Sequence, residues 1–191
     1  MKYSIIYADC PWSFNNKNTG GSMKSGSEAQ YKTMSVDEIC NLPISEIVAD
    51  DCILFMWWVG SQPEEALNVV KSWGFKVKTM SGFNWIKLSK NCKLEFNMGF
   101  YTRQLSESCL IATKGKPKVI NHGIRSVQLV EEEYNEETIF ALNEKHSKKP
   151  DIFRERIVEL MGDLPRVELF ARQETEGWDV FGNEVKNSIE L

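Results

Sequence analysis

The sequence predicts an α/β fold, one domain over 1–191 built on a mostly parallel sheet. Three observations predict it. Apolar segments of strand length recur at 3–8, 52–59, 108–113 and 166–170, and the run at 52–59 is continuous rather than alternating, as in a strand covered on both faces. Between them stand segments with helix-start chemistry and helical apolar spacing. At 191 residues, 42% hydrophobic and 11% aromatic, the chain is long enough for one well-buried core with little left for a second.

The first run, Tyr3-Ser4-Ile5-Ile6-Tyr7-Ala8, is β-branched and aromatic, stops at Asp9 and turns through Pro11, which lacks the N–H a central strand needs. An acid at the carboxyl end of a buried strand, followed by proline and an aromatic, stands where an open α/β sheet places its ligand chemistry. A planar base can stack on Trp12 while the Asp9 carboxylate and the Cys10 carbonyl accept the hydrogens of its exocyclic amine. Such an amine is a poor nucleophile because its lone pair is delocalised into the ring. Two acceptors draw the nitrogen toward tetrahedral geometry and free that pair, so positioning and electrostatics carry the chemistry.

A polar loop at 13–34, rich in Asn, Gly, Ser and Lys and ending near Tyr31, exceeds the usual connection length and reads as a gating loop. Ser35-Val36-Asp37-Glu38 is a capping box opening a short helix, which Pro43 breaks. The run 52–59 is a central strand, with Trp57 and Trp58 read as packing residues. Pro63 opens the next helix, Gly74 stops it after Trp73, and the strand-helix-strand order predicts a βαβ unit. Segments 75–80 and 83–88 read as two further strands, the second holding Trp85 and Lys87. A polar stretch at 89–104, with Asn97, Gly99, Tyr101 and Arg103, reads as a second loop at the site, and the strand at 108–113 ends in Lys114-Gly115-Lys116-Pro117-Lys118.

The segment 119–145, with His122, Arg125 and Glu131-Glu132-Glu133, reads as a solvated irregular excursion. Lys149-Pro150-Asp151 then opens a helix with an acid at its positive end and an apolar stripe at Phe153, Ile157, Leu160 and Met161; Gly162 closes it. The strand 166–170 follows, and a polar loop leads to the segment Gly177 to Glu184. Polar chemistry therefore collects at two strand ends, Asp9 near the start of the chain and Arg172 onward near its end, which predicts a circularly permuted nucleotide-type sheet.

A net charge of −4 excludes a protein that coats nucleic acid by charge alone, so any such contact is local; Lys114, Lys116, Lys118, Lys145, Lys148 and Lys149 are the candidates for phosphate. Five cysteines stand far apart without a Cys-x-x-Cys pair, and only His122 and His146 could join them, so no metal site is expected and a reduced intracellular setting is. No signal peptide and no membrane-length apolar run is read, which predicts a cytoplasmic protein.

Taken together these segments resemble the β-class amino-methyltransferases related to the mRNA adenosine methyltransferase, the MT-A-seventy family, over nearly the whole chain. Asp9-Cys10-Pro11-Trp12 is similar to the family's Asp-Pro-Pro-Trp, with Cys10 at a position that mainly offers its carbonyl. Trp85 and Lys87, then Gly99, Arg103 and Glu107 leading into 110–115, resemble the family's target-side segment. His146 to Asp151 resembles its Lys-Pro-Asp helix start, where the lysine meets the methionyl carboxylate of S-adenosylmethionine. Glu168 to Arg172, followed by Gly182-Asn183-Glu184, resembles its cofactor strand and ribose pair.

The resemblance implies a Rossmann-like methyltransferase domain, circularly permuted with the catalytic strand first and the cofactor strand last, and without a separate target-recognition domain. It implies Asp9, Cys10, Pro11 and Trp12 as catalytic; Asp9, Lys149, Phe170, Arg172, Glu174, Asn183 and Glu184 for S-adenosylmethionine; and Trp12, Tyr31, Trp85, Lys87, Arg103 and Glu107 for the target. The family's longer members carry an acidic strand end upstream of the catalytic strand for the cofactor adenine; here that contact must come from elsewhere, and Glu174 and Thr175 replace other polar residues. The implied reaction is methylation of the adenine N6 amine in nucleic acid, DNA before RNA, in a bacterial or phage-infected cell. The base is flipped out by the loops 13–34 and 88–104, with a homodimer or partner subunit supplying target surface. N4-cytosine methylation and a non-catalytic scaffold subunit are the alternatives.

Overall fold

The computed structural model describes residues 1–13, 33–87, 101–102, 106–126 and 148–191. Tyr31, Arg103 and most of the loops 13–34 and 88–104 lie outside the described residues, as do His146 and the acidic cluster at 131–133.

The elements run β1 (Tyr3–Asp9), α1 (Val36–Cys40), β2 (Val48–Trp58), α2 (Pro63–Ser72), β3 (Lys76–Ile86), β4 (Ser106–Lys114), α3 (Ile152–Met161), β5 (Arg166–Leu169) and β6 (Asp179–Phe181). Among the described residues the strands form one sheet in the order β3-β4-β2-β1-β5-β6. β1 pairs parallel with both β2 and β5, and β6 continues the parallel half beside β5. β4 runs antiparallel to both β2 and β3. The sheet is therefore mixed, parallel only from β2 to β6.

The continuous apolar runs have a simple cause. Ile6 and Ala8 of β1 face a cluster with Leu54, Met56 and the helical residues Ile39, Ala66, Val69 and Trp73 of α1, α2 and their ends. Ile5 and Tyr7 face the other way, into a cluster with Phe55, Trp57, Phe83 and the α3 residues Phe153, Ile157 and Met161. With helices on both faces, consecutive positions of the central strands are buried, 5–8 of β1 and 52–57 of β2. Leu160, expected in the α3 stripe, is only partly buried at the edge of that second cluster.

Local helix signals fold as written. Ser35 and Glu38 close the capping box, the Glu38 N–H donating to Ser35 Oγ at 3.2 Å and the Ser35 N–H donating to the Glu38 carboxylate at 2.8 Å. Pro63 occupies the first turn of α2, and the Trp73 indole N–H donates to the Ile39 carbonyl at 2.9 Å, joining α2 to α1.

Two expectations change, and one strand is added. The two strands expected at 75–80 and 83–88 are one strand, β3, whose pairing with β4 shifts register between Val77 and Thr79 and between Thr79 and Phe83. The interruption at Ser81-Gly82 is an irregularity rather than a reversal: a Cβ on Gly82 would lie 2.3 Å from Ile111 Cγ1. The βαβ unit survives only in outline, because β4 inserts between β2 and β3. Apolar period sets which face a strand buries but not which strand lies beside it. The segment around Asp179–Phe181, given no element from the sequence, is the short edge strand β6. No helix among the described residues is long and apolar enough to cross a membrane.

Candidate active site

Four strands bring polar chemistry to one end of the sheet. Asp9 ends β1 in register with Trp57, Trp57 is in register with Cys109 of β4, and Glu107 stands beside Trp85 of β3. Side chains alternate along a strand, so Asp9 shares the face of Tyr7, and Glu107 that of Cys109; both look toward the α3 side. Lys149, just before α3, reaches across to them.

Its ammonium lies 2.9 and 2.8 Å from the two oxygens of Asp9 and 3.1 Å from Glu107. Glu107 in turn receives Lys87 at 2.5 Å. The order Asp9, Lys149, Glu107, Lys87 is a chain of alternating charge. Aromatic rings carry its cations: Lys149 Nζ stands 5.4 Å from the Trp57 ring centroid and Lys87 Nζ 4.9 Å from that of Trp85. Both lysines are buried, Lys149 at 6% exposure.

Burial pushes the Asp9 carboxyl above its ordinary 3.8, with Lys149 pulling against it. Glu107 is also raised by burial, but its two lysines, Lys149 first, outweigh that and hold it below 4.5. Burial disfavours the Lys149 cation, and the carboxylates of Asp9 and Glu107 more than restore it, so it stays an ammonium. Burial keeps Cys10 and Cys109 as neutral thiols.

The turn after β1 is pinned by backbone. The Trp12 N–H donates to the Cys10 carbonyl at 2.9 Å and the Met34 N–H to the Pro11 carbonyl at 2.9 Å; among the described residues the Cys10 oxygen thus receives one of the two hydrogen bonds it can accept. Trp12 itself is 5% exposed, its indole N–H donating to the Trp57 carbonyl at 3.3 Å. In this structure it is a wall of the turn rather than an open platform.

A second group lies at the carboxyl ends of β5 and β6. Phe170 leaves β5 with φ of 62°, a left-handed backbone that an aromatic residue rarely adopts, and so redirects the chain at the strand end. The Ala171 N–H donates to the Phe181 carbonyl at 2.9 Å, and a Cβ on Gly182 would lie 2.1 Å from the Ala171 carbonyl oxygen, so only glycine lets the two loops close. Across that closure Arg172 Nε donates to Glu184 at 2.8 Å. The Arg172 charge also reaches Asp9, drawing its carboxyl down. Asn183 is exposed beside them. Glu174, two residues past Arg172, lines a recess of about 390 Å³ with Thr175, Trp178, Val180 and Asn187.

A profile described as MT-A70 matches residues 3–184. The chain belongs to the MT-A70 family. Among its relatives is the type II methyltransferase M.MunI of a Mycoplasma species, 33% identical over 205 residues that take in 100% of this chain and 81% of that protein. The N(6)-adenosine-methyltransferase MT-A70-like protein of Drosophila melanogaster is 26% identical over 96% of this chain. The N(6)-adenosine-methyltransferase catalytic subunit METTL3 of Homo sapiens is 25% identical over the same share. The chain spans only 27% and 28% of those two longer relatives.

Beside this candidate site lie residues that sequence reasoning alone does not single out. Arg154 of α3 is 5% exposed and grips Glu168 of β5 with two hydrogen bonds at 2.7 and 2.5 Å, while Tyr7 accepts the Trp57 indole N–H at 2.7 Å. One signal was available: a carboxylate inside an apolar strand, as in Val167-Glu168-Leu169, needs a buried cation. One expected contact is misplaced. Lys114 pairs with Cys52, five residues along β4 from Cys109 and so about 17 Å from the level of Asp9. The basic turn 114–118 therefore lies toward the opposite end of the sheet, where the Lys116 N–H donates to Asp51 at 2.7 Å. Among the described residues no group of three or more His, Cys, Asp or Glu is placed to hold a metal ion.

Proposed function

We propose that this MT-A70 chain is an S-adenosylmethionine-dependent methyltransferase acting on the N6 amine of adenine in nucleic acid, DNA before RNA. The observation that carries this reading is the Asp9–Lys149 contact at 2.8 Å where the central strand ends, a carboxylate fit for amine hydrogens beside an ammonium fit for a carboxylate. The residues fit the cofactor. Lys149 suits its carboxylate and Asp9 its ammonium, while Arg172 and Glu184, a donor and an acceptor 2.8 Å apart, suit vicinal ribose hydroxyls. Phe170, Glu174 and Asn183 complete the set by resemblance.

S-adenosylmethionine supplies, when bound, an electrophilic sulfonium methyl. The rest is work for the chain. Asp9 and the remaining lone pair of the Cys10 carbonyl hold the amine hydrogens, and Asp9 opposes the positive charge that develops on nitrogen. Pro11 and Trp12 keep that turn rigid, with any stacking on Trp12 confined to the small face it exposes. Lys87, Glu107 and Trp85 form the target-side wall, and the partial burial of the charges makes their fields stronger than in open water.

The sheet, with β1 between β2 and β5 and parallel to both, is compatible with a Rossmann-like methyltransferase domain; a circular permutation with the catalytic strand first belongs to the proposal. The fuller likeness to the type II methyltransferase favours DNA. Base flipping by the loops 13–34 and 88–104, with Tyr31 and Arg103, and target surface from a second copy or partner subunit belong to the same proposal.

The test uses the purified chain with tritiated S-adenosylmethionine on duplex DNA, single-stranded DNA and RNA, each digested to nucleosides. N6-methyladenine from DNA supports the reading. Label in N4-methylcytosine, or only in RNA, replaces its finer part, and a chain that binds no cofactor overturns it.

A further inference from the structure

The Arg154–Glu168 pair is buried on both sides, each side chain 5% exposed. Buried ion pairs are seldom the most stable filling of a core, since apolar residues of similar volume often do as well or better. The contacts of this pair point to another use. Arg154 Nη1 donates to Asp151 Oδ1 at 2.7 Å, and Asp151 Oδ1 also accepts from Gln173 Nε2 at 2.6 Å. Asp151 is two residues from Lys149, and Gln173 follows Arg172. The guanidinium also stands 5.5 Å from the Tyr7 ring centroid; Tyr7 receives the Trp57 indole N–H, and the Trp57 ring lies under the Lys149 ammonium.

These contacts link Lys149, Trp57, Tyr7, Arg154 and Asp151, and the two-residue step of backbone from Asp151 back to Lys149 closes them into a ring. It passes through β2, β1 and the start of α3, and Gln173 joins it to the loop after β5. We propose that Arg154 is a positioning residue of the cofactor site, holding Lys149 over Trp57 through Asp151 and tying that end of the site to the loop carrying Arg172. The assignment rests on the reading of Lys149 and Arg172 as the two ends of that site. Arginine suits this position because its planar fork reaches Glu168 with two nitrogens and Asp151 with a third, which a lysine cannot match.

The test compares the full chain with two variants. In the double variant Arg154→Met/Glu168→Leu both charges leave together, so no buried charge is left unpaired and the fold is kept. In Asp151→Ala the ring is cut at a side chain that is 58% exposed, so folding is safe there even if the double variant unfolds. The first readout needs no cofactor: competitive acylation of the lysines, followed by mass spectrometry of the Lys149 peptide. Wild-type Lys149 is expected to react slowly, and its rate to rise about fivefold or more in each folded variant while Lys87 changes little, as the loss of a precise contact predicts.

The second readout is S-adenosylmethionine affinity and steady-state kinetics. The expected pattern is Kd and KM up about tenfold with kcat moved much less, the mark of lost binding rather than lost chemistry. Folded variants with wild-type Lys149 reactivity overturn the proposal, and so does raised reactivity with unchanged affinity. If the wild-type chain binds no cofactor while Lys149 reactivity still rises in the variants, Arg154 keeps its hold on Lys149 and the methyltransferase reading is what fails.

Discussion

Lys149 spans 140 residues of sequence to place its ammonium against both oxygens of Asp9. Each group holds the other in the role proposed for a ligand: Asp9 faces a cation, as it would an ammonium or a developing amine charge, and Lys149 faces a carboxylate. Glu107 and Lys87 extend the pair into an array in which every charge has an opposite neighbour. The consequences can be tested group by group.

Asp9→Asn keeps the size of the side chain and removes its charge. Methyl transfer by the purified variant is expected to fall by about 10²- to 10³-fold, the effect of losing one oriented group at a developing charge. A near wild-type rate, with an unchanged circular-dichroism spectrum, would falsify the role given to Asp9.

Lys149→Ala leaves Asp9 and Glu107 facing each other without their shared cation. Cofactor affinity is expected to drop while the preferred target sequence stays the same, which calorimetry and sequencing of methylated sites would read separately. The fold should lose about 1–3 kcal/mol, the cost of stranding buried polar partners, at the lower end because the Asp9 and Glu107 side chains keep 22% and 27% exposure. Unchanged cofactor affinity counts against the assignment.

The two carboxylates predict opposite pH effects. Glu107 titrates below 4.5 in the folded chain, so it adds stability that is full above 4.5 and is lost as pH falls through its folded value. Asp9 titrates above 3.8, so its contribution is greatest below 3.8 and is lost as pH rises through its folded value. Thermal melts of Glu107→Gln and wild type should therefore converge as pH is lowered from about 6 to about 3. A gap that widens on acidification contradicts the sign given to Glu107.

The basic turn predicts a null. Replacing Lys114, Lys116 and Lys118 together by Gln should leave KM for nucleic acid within about twofold of wild type at fixed salt, because the turn points away from the site. A loss of about tenfold with a shallower salt dependence would bring the turn back to the phosphate backbone.

Much of the fold was legible because its signals are local. The capping box at Ser35, the Pro63 start of α2, the Lys149-Pro150 entry to α3 and the apolar runs of β1, β2, β4 and β5 are written in residues that touch near neighbours. What misled was also local in form. The Gly82 break looked like a strand end because one glycine serves a turn and a bulge alike, and Asp179–Phe181 is too short to show a period.

By itself, the sequence determined which segments become strands and helices, that the central strands are covered on both faces, and that an acid stands where the first strand stops. Only the tertiary structure decided that β4 lies antiparallel between β2 and β3, that Lys149 meets both Asp9 and Glu107, that Arg154 grips Glu168, and that the lysines of 114–118 fall away from the site. The reason is physical. Backbone propensity and side-chain period act within a few residues, whereas strand partners and buried charge pairs are chosen by packing between residues far apart in the chain, which no local pattern encodes.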